Sequence, residues 1–181
     1  MKAALLVLVS GPAASGRATL ATRIAAELGV PLLTRDSVRS GLAETQSGWT
    51  VTPTAELLAR ATDAWRGAVT GLLAAGVTVV AEHPLRAEVA SADLAPFQDA
   101  ARIKVVRCRL DPKQRPAPPP PEPRLRPMRT GGMIVERRDP GPARPERDPS
   151  ITLGVPVLTV EPTARGYRPP LADILWFVRQ S

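Results

Sequence analysis

With 181 residues, 44% of them apolar but only 3% aromatic, the chain is long enough for one domain whose core is packed mainly by Ala, Val and Leu. Its formal net charge of +7 points toward anionic ligands such as nucleotides, phosphates, nucleic acid or acidic lipids, or else reflects an arginine-rich composition alone. A single cysteine excludes an intramolecular disulfide and a cysteine-built metal cluster and fits a reducing, cytoplasmic setting, while a single histidine excludes a histidine-based metal site.

The chain opens on "MKAALLVLVSGPAA", which superficially resembles a signal peptide. Its apolar run, 3–9, is far too short to cross a bilayer and is followed directly by glycine-punctuated sequence and an amphipathic stretch, so it reads as a buried first strand and no membrane partner is expected. Continuous apolar runs of this length belong to parallel strands covered on both faces. Residues 16–28 read as a helix, with Leu20, Ile24 and Leu28 at four-residue spacing and Gly29 as its stop. "VPLLT", 30–34, is a second strand, after which Asp36 is a candidate helix N-cap. The longest helical stretch is 53–75, where Leu57, Ala61, Trp65, Val69 and Leu72 share one face and Gly76 ends the helix; Trp65 reads as core. "VTVVA", 77–81, is a third strand. A helical stretch over 86–101 carries Pro96 as a break, and "IKVVRCRL", 103–110, is a fourth strand with Cys108 as a buried, inert thiol.

From 112 to 149 the composition changes: this segment holds 12 of the 21 prolines and eight arginines. The run Pro118 to Pro121 favours extended polyproline structure and rules out a long regular helix, so a mobile or poorly packed excursion is expected here. "VPVLTV", 155–160, is a fifth strand and 169–180 a final helix. The alternation of strands and helices predicts an α/β fold, a three-layer α/β/α sandwich around a five-stranded parallel sheet, as one domain over 1–181 with 112–149 as its excursion. In such sheets ligands bind beyond the carboxyl ends of the strands, and each polar motif below follows a strand.

The first of these motifs is "GPAASGRATLA", 11–21. A phosphate-binding loop is written G-x-x-x-x-G-K-[ST] between a strand and a helix, because its glycines let successive N–H groups face phosphate oxygens while the helix adds its positive end. Gly11, Ser15 and Gly16 meet that backbone demand. Arg17 stands where the motif has lysine: it keeps the charge but as a wide planar fork. Ala18 stands where a hydroxyl normally binds Mg²⁺, so no direct protein ligand for the metal is expected and water fills that position. Thr19 has a hydroxyl one residue on, about 100° round the helix, toward an inner phosphate. A glycine-rich turn without a ligand, and a phosphate site with poor catalysis, stand beside the working-site reading.

Together with "TRDSVRSGL" after the second strand and the tail 153–178, this loop resembles the small P-loop kinases grouped as AAA-domain or zeta-toxin-like ATPases, which include polynucleotide kinase and chloramphenicol phosphotransferase. The resemblance covers roughly residues 1–111 and 150–181; in the middle segment, where relatives carry a helical lid, prolines replace the helix pattern. The resemblance implies ATP and Mg²⁺ as cofactors, held at Gly11, Ala14, Ser15, Gly16, Arg17, Ala18 and Thr19. It implies Asp36 as general base toward an acceptor hydroxyl and Arg39, one helical turn on, as a substrate or phosphate contact; a helix cap is the plain alternative for Asp36. Glu82, after the third strand, is a candidate for the Mg²⁺ water shell or the substrate, and His83 beside it a weaker candidate base. Arg124, Arg126 and Arg129 are candidate phosphate contacts from the lid region, or else a solvated basic loop. Three functions follow: ATP-dependent phosphoryl transfer to a hydroxyl of a small molecule or nucleic-acid end; a catalytically impaired nucleotide-binding pseudokinase; and a polynucleotide-binding protein, which lacks the interleaved aromatics that base stacking needs.

Overall fold

The structure is a computed structural model that describes residues 3–45, 55–85, 90–109, 124–127, 133–136 and 154–180. The first apolar run forms β1 (Leu5–Ser10), buried at every position. The reason lies in its period of two: Leu6 and Leu8 enter one core cluster, and Leu5, Val7 and Val9 enter the other, on the opposite face. Helix α1 (Arg17–Leu28) packs Leu20, Ala21 and Ile24 into the second cluster and ends at Gly29, in a left-handed conformation at φ 65°. β2 (Leu32–Thr34), α2 (Arg35–Glu44) and α3 (Ala55–Ala74) follow. Trp65, Val69 and Leu73 of α3 lie in the first cluster, and Trp65 Nε1 donates to the Leu33 carbonyl at 3.2 Å, tying α3 to β2. Each such fully buried large side chain contributes about 1.5–3 kcal/mol relative to exposure.

β3 (Val79–Glu82), α4 (Ala90–Gln98) and β4 (Arg102–Cys108) complete the first half. Pro96, expected to break its helix, lies inside α4, which ends at Gln98 rather than at 101; residues 86–89 of the expected stretch lie outside the described residues. β7 (Val157–Thr163) pairs in parallel with β4, β8 (Gly166–Arg168) folds back antiparallel onto β7, and α5 (Leu171–Arg179) closes the described chain. The strand order is β2-β3-β1-β4-β7-β8. Among the described residues the sheet therefore has six strands rather than the five expected: β8, three residues after a tight turn, is too short to show hydrophobic periodicity. Helices α1 and α5 cover one face and α3 and α4 the other, giving the three-layer sandwich.

Within the proline-rich 112–149 segment the described residues form an antiparallel ribbon, β5 (Arg124–Pro127) with β6 (Met133–Glu136). The expectation of a mobile excursion otherwise lies outside the described residues. A further long-range tie joins β4 to α5: Lys104, 8% exposed, donates from Nζ to the carbonyls of Phe177 at 2.5 Å and Gln180 at 2.7 Å. These are carbonyls at the end of a helix, which lack intrahelical partners. Among the described residues no helix is long and apolar enough to cross a membrane.

Candidate phosphate site

Register places the ends of the strands together. Val9 of β1 and Thr34 of β2 both stand level with Glu82 of β3, and Ser10 stands level with Arg107 of β4. Two backbone ties fix the segment after β3 to the root of the loop: His83 N donates to the Val9 carbonyl at 3.2 Å and Leu85 N to Ser10 Oγ at 2.8 Å. At this edge β1 turns into the loop that leads to α1.

The loop's path depends on positive φ. Gly11 has φ 152°, Ala14 φ 61° and Gly16 φ 73°. A Cβ on Gly11 would lie 2.6 Å from the Cys108 carbonyl oxygen, so the loop is wedged against the end of β4 at a place where only glycine fits. Ser15 N donates to the Pro12 carbonyl at 3.2 Å and Leu20 N to the Gly16 carbonyl at 2.9 Å. Gly16 caps α1 with no side-chain hydrogen bond. The first amides of α1, at Arg17, Ala18 and Thr19, therefore have no acceptor among the described residues and stand at the positive end of the helix dipole. Ser15 Oγ, fully buried inside the turn, has no hydrogen-bond partner among the described residues. Such a ring of unmatched donors fits the phosphates of a nucleotide.

Arg17 does not extend into solvent. Its Nε donates to Glu82 Oε1, and its Nη1 donates to the Gly11 carbonyl at 2.7 Å. The side chains are 18% and 4% exposed respectively, so the pair lies at the mouth of the loop with the carboxylate behind the guanidinium. The donor set for Mg²⁺ does not fit: Ala18 has no oxygen where the motif has a hydroxyl, and the carboxylate at the strand edge is neutralised by Arg17. Among the described residues no group of three or more His, Cys, Asp or Glu is disposed to hold a metal. Cys108 lies beneath this pair, its thiol pushed up to about 12 mainly by burial, with Glu82 adding to the shift and Arg17 opposing it.

On the other side of β3, α2 begins. Its N-cap is Thr34, whose Oγ1 accepts from Ser37 N at 2.9 Å. This corrects the expectation that Asp36 caps the helix: the hydroxyl at the last strand position already takes that role, and the T-x-x-S spacing at 34–37 carried the signal. Asp36 stands instead in the first turn of α2, its side chain 61% exposed, in a 3.5 Å ion pair with Arg39. β2 lies two strand spacings, about 10 Å, from β1. The loop and Asp36 thus share one edge of the sheet with β3 and its Glu82 between them.

His83 takes no place at the mouth. It is buried, stacked on Trp65 at 4.8 Å between centroids, with Nε2 3.7 Å from Asp93 Oδ2 and Nδ1 without a partner among the described residues. Burial, with smaller contributions from Arg35 and Arg66, holds it below the usual histidine range, while Asp93 pulls the other way. The hairpin end of β7 also borders the loop, since a Cβ on Gly16 would meet Pro162 Cγ at 3.6 Å. Arg124 and Arg126 lie on β5, and Arg129 lies outside the described residues. Sequence reasoning missed the Arg17–Glu82 pair, because the two residues are 65 positions apart and only the register of β1 against β3 joins them.

The profile of a family described as an AAA domain matches residues 6–115, from the first strand through the end of the fourth. The chain belongs to the AAA domain family. Its AAA domain is P-loop kinase-like and shares its fold with a crystal structure from Chloroflexus aurantiacus j-10-fl described as a "putative kinase", at a TM-score of 0.70 and 21% identity over 99% of this chain and 96% of that one. It is also similar to APS kinase CysC of Mycobacterium tuberculosis, with TM-score 0.47 and 22% identity over 66% of this chain and 84% of that one. A chain of the Pnkp1/Rnl/Hen1 complex gives TM-score 0.49 and 16% identity over 61% of this chain and 37% of its own length. A search of curated proteins finds no match.

Proposed function

We propose that this AAA domain, as a single unit over 1–181 with 112–149 at the lid position, binds a nucleoside di- or triphosphate through residues 11–19 and transfers a phosphoryl group to a hydroxyl of a small molecule or nucleic-acid end. ATP is the donor that the kinase resemblance implies. The observation that carries the reading is the loop: uncapped amides at the start of α1, with the buried Ser15 hydroxyl beneath them, form a donor-lined cradle directly after a central strand. Phosphoryl transfer needs mainly positioning and charge neutralisation, which suits so sparse a site. Arg17 supplies directed N–H donors at the mouth. Asp36 orients the acceptor hydroxyl and takes its proton, and Arg39 holds the acceptor or a phosphate. The Asp36–Arg39 pair is exposed and worth at most about 1 kcal/mol, so an arriving substrate opens it readily.

One observation favours a second reading, a nucleotide-binding module without transfer: Glu82 is engaged by Arg17 and Ala18 offers no oxygen. Calorimetry with ADP, run beside a transfer assay over a panel of hydroxyl acceptors, separates the two. Gly16→Val forces a branched side chain at φ 73°, beside Pro162 at the border of the cradle, and by distorting the loop should abolish nucleotide binding while the chain stays folded. A folded Gly16→Val protein with wild-type affinity would refute the site itself; wild-type binding without transfer to any acceptor selects the second reading.

A further inference from the structure

We propose that the loop carries its own cation: Arg17, fixed by Glu82 and Gly11, stands in for a divalent metal, so that the site binds nucleoside diphosphates without Mg²⁺. The inference rests on the reading of residues 11–19 as a nucleotide site.

Mg²⁺ demands near-octahedral oxygen ligation and reaches phosphates through a hydroxyl or carboxylate at the loop. Here the hydroxyl position is Ala18, and the carboxylate at the edge, Glu82, accepts from Arg17 Nε. A metal at Glu82, a carboxylate only 4% exposed, would have to break the existing pair with Arg17 and leave the guanidinium without its counter-charge. Arg17 therefore stays in place when a ligand arrives. A guanidinium has five N–H donors in a rigid fork. One is spent on Glu82 and one on the Gly11 carbonyl, which leaves three at the residue that opens α1. They adjoin the uncommitted amides of Ala18 and Thr19, so phosphate oxygens meet guanidinium and helix terminus together. Ser15 Oγ, fully buried and without a partner among the described residues, is a second sign that the turn is built around a missing acceptor or donor.

The charge balance follows from this geometry. Glu82 cancels much of the field of Arg17, so attraction comes from directed N–H donors and the helix terminus rather than from excess positive charge. Mg²⁺ added to ADP brings a charge that finds no ligand here. Removing the Glu82 charge while keeping its acceptor oxygen leaves Arg17 positioned and no longer compensated.

The test is calorimetric titration of the full chain with ADP, in excess chelator and in excess Mg²⁺. Affinity in chelator should equal or exceed that in Mg²⁺, and Glu82→Gln should tighten metal-free binding several-fold. The double variant Arg17→Lys with Ala18→Ser should acquire the Mg²⁺ dependence that the wild type lacks. Tightening of wild-type ADP binding by Mg²⁺ of about tenfold or more, equivalent to about 1.4 kcal/mol, overturns the proposal while leaving the nucleotide site standing. So does unchanged or weakened metal-free affinity in a folded Glu82→Gln protein. Absence of ADP binding under both conditions overturns the nucleotide reading and this inference with it.

Discussion

Replacing Gly11 with alanine separates what the loop does for folding from what it does for a ligand. The added methyl would lie 2.6 Å from the Cys108 carbonyl oxygen, 2.7 Å from Ser15 Oγ and 2.9 Å from Cys108 Cβ. Ordinary carbon–oxygen contacts begin at about 3.3 Å, so the overlap with the carbonyl is about 0.7 Å. The Ser15 hydroxyl can rotate away. The Cys108 backbone cannot, because β4 is paired on both sides, with β1 and with β7. Crowding of this kind costs about 1–3 kcal/mol, and holding an L-residue at such a φ about 1–3 more. The sum, about 2–6 kcal/mol, is a large share of the roughly 5–15 kcal/mol that keeps a domain folded. Melting should fall by about 5–20 °C for a chain of this size. Gly16→Ala is the control: its methyl would meet Pro162 Cγ at an ordinary 3.6 Å, leaving only the cost of a left-handed residue, about 1–2 kcal/mol. Thermal melts followed by far-ultraviolet circular dichroism decide the matter. A Gly11→Ala protein melting with the wild type would show that the loop is not wedged against β4.

Asp36→Asn should reduce phosphoryl transfer by about 10²–10⁴-fold with nucleotide affinity and melting temperature nearly unchanged, whereas Thr34→Ala should cost about 1 kcal/mol of stability and leave transfer intact; initial rates and melts on both variants show whether the two roles are divided in this way. Because His83 is held below its ordinary value, the unfolded chain takes up a proton first as pH falls, so stability is full above about pH 6.5 and declines through the window down to the folded value. Urea midpoints between pH 7 and 5 should fall in the wild type and fall less in His83→Gln; equal slopes would refute the assignment. The Cys108 thiol, pushed up to about 12 and buried, should resist a thiol reagent in the native protein and react fully in denaturant; fast native labelling would mean that the β4 end opens.

The parallel sheet was legible because its strands are buried on both faces and so appear as an unbroken apolar run at 3–9 and as apolar-rich runs at 77–81, broken by Thr78, and at 103–110, broken by Lys104, Arg107 and Arg109. Helices α1 and α3 were legible from four-residue spacing and from the glycines at 29 and 76 that end them. α2 was not, since none of its residues is buried and Val38 and Leu42 are its only large apolar residues; only its start was marked, and at Asp36 rather than Thr34. β8 and the β5–β6 ribbon are too short to carry a period. For the site, spacing within one segment found Gly11, Gly16 and Arg17 but said nothing of what Arg17 touches. The Arg17–Glu82 pair and the His83–Asp93–Arg66 cluster join residues from separate elements, and such contacts exist only once the register of the sheet is known.

Lys104 offers a natural reporter on α5. The chain has three lysines, Lys2, Lys104 and Lys113, against 21 arginines, so amine chemistry addresses few positions and each falls in a distinguishable peptide. The Lys104 ammonium is committed to two carbonyls at the end of α5 and shielded by the Phe177 ring, 5.1 Å away at its centroid. An acylating reagent can reach that nitrogen only when the helix lifts from the sheet. The rate at which Lys104 is acylated in the native protein therefore clocks the undocking of α5 as an event separate from global unfolding. No label, tag or substitution needs to be introduced to read it.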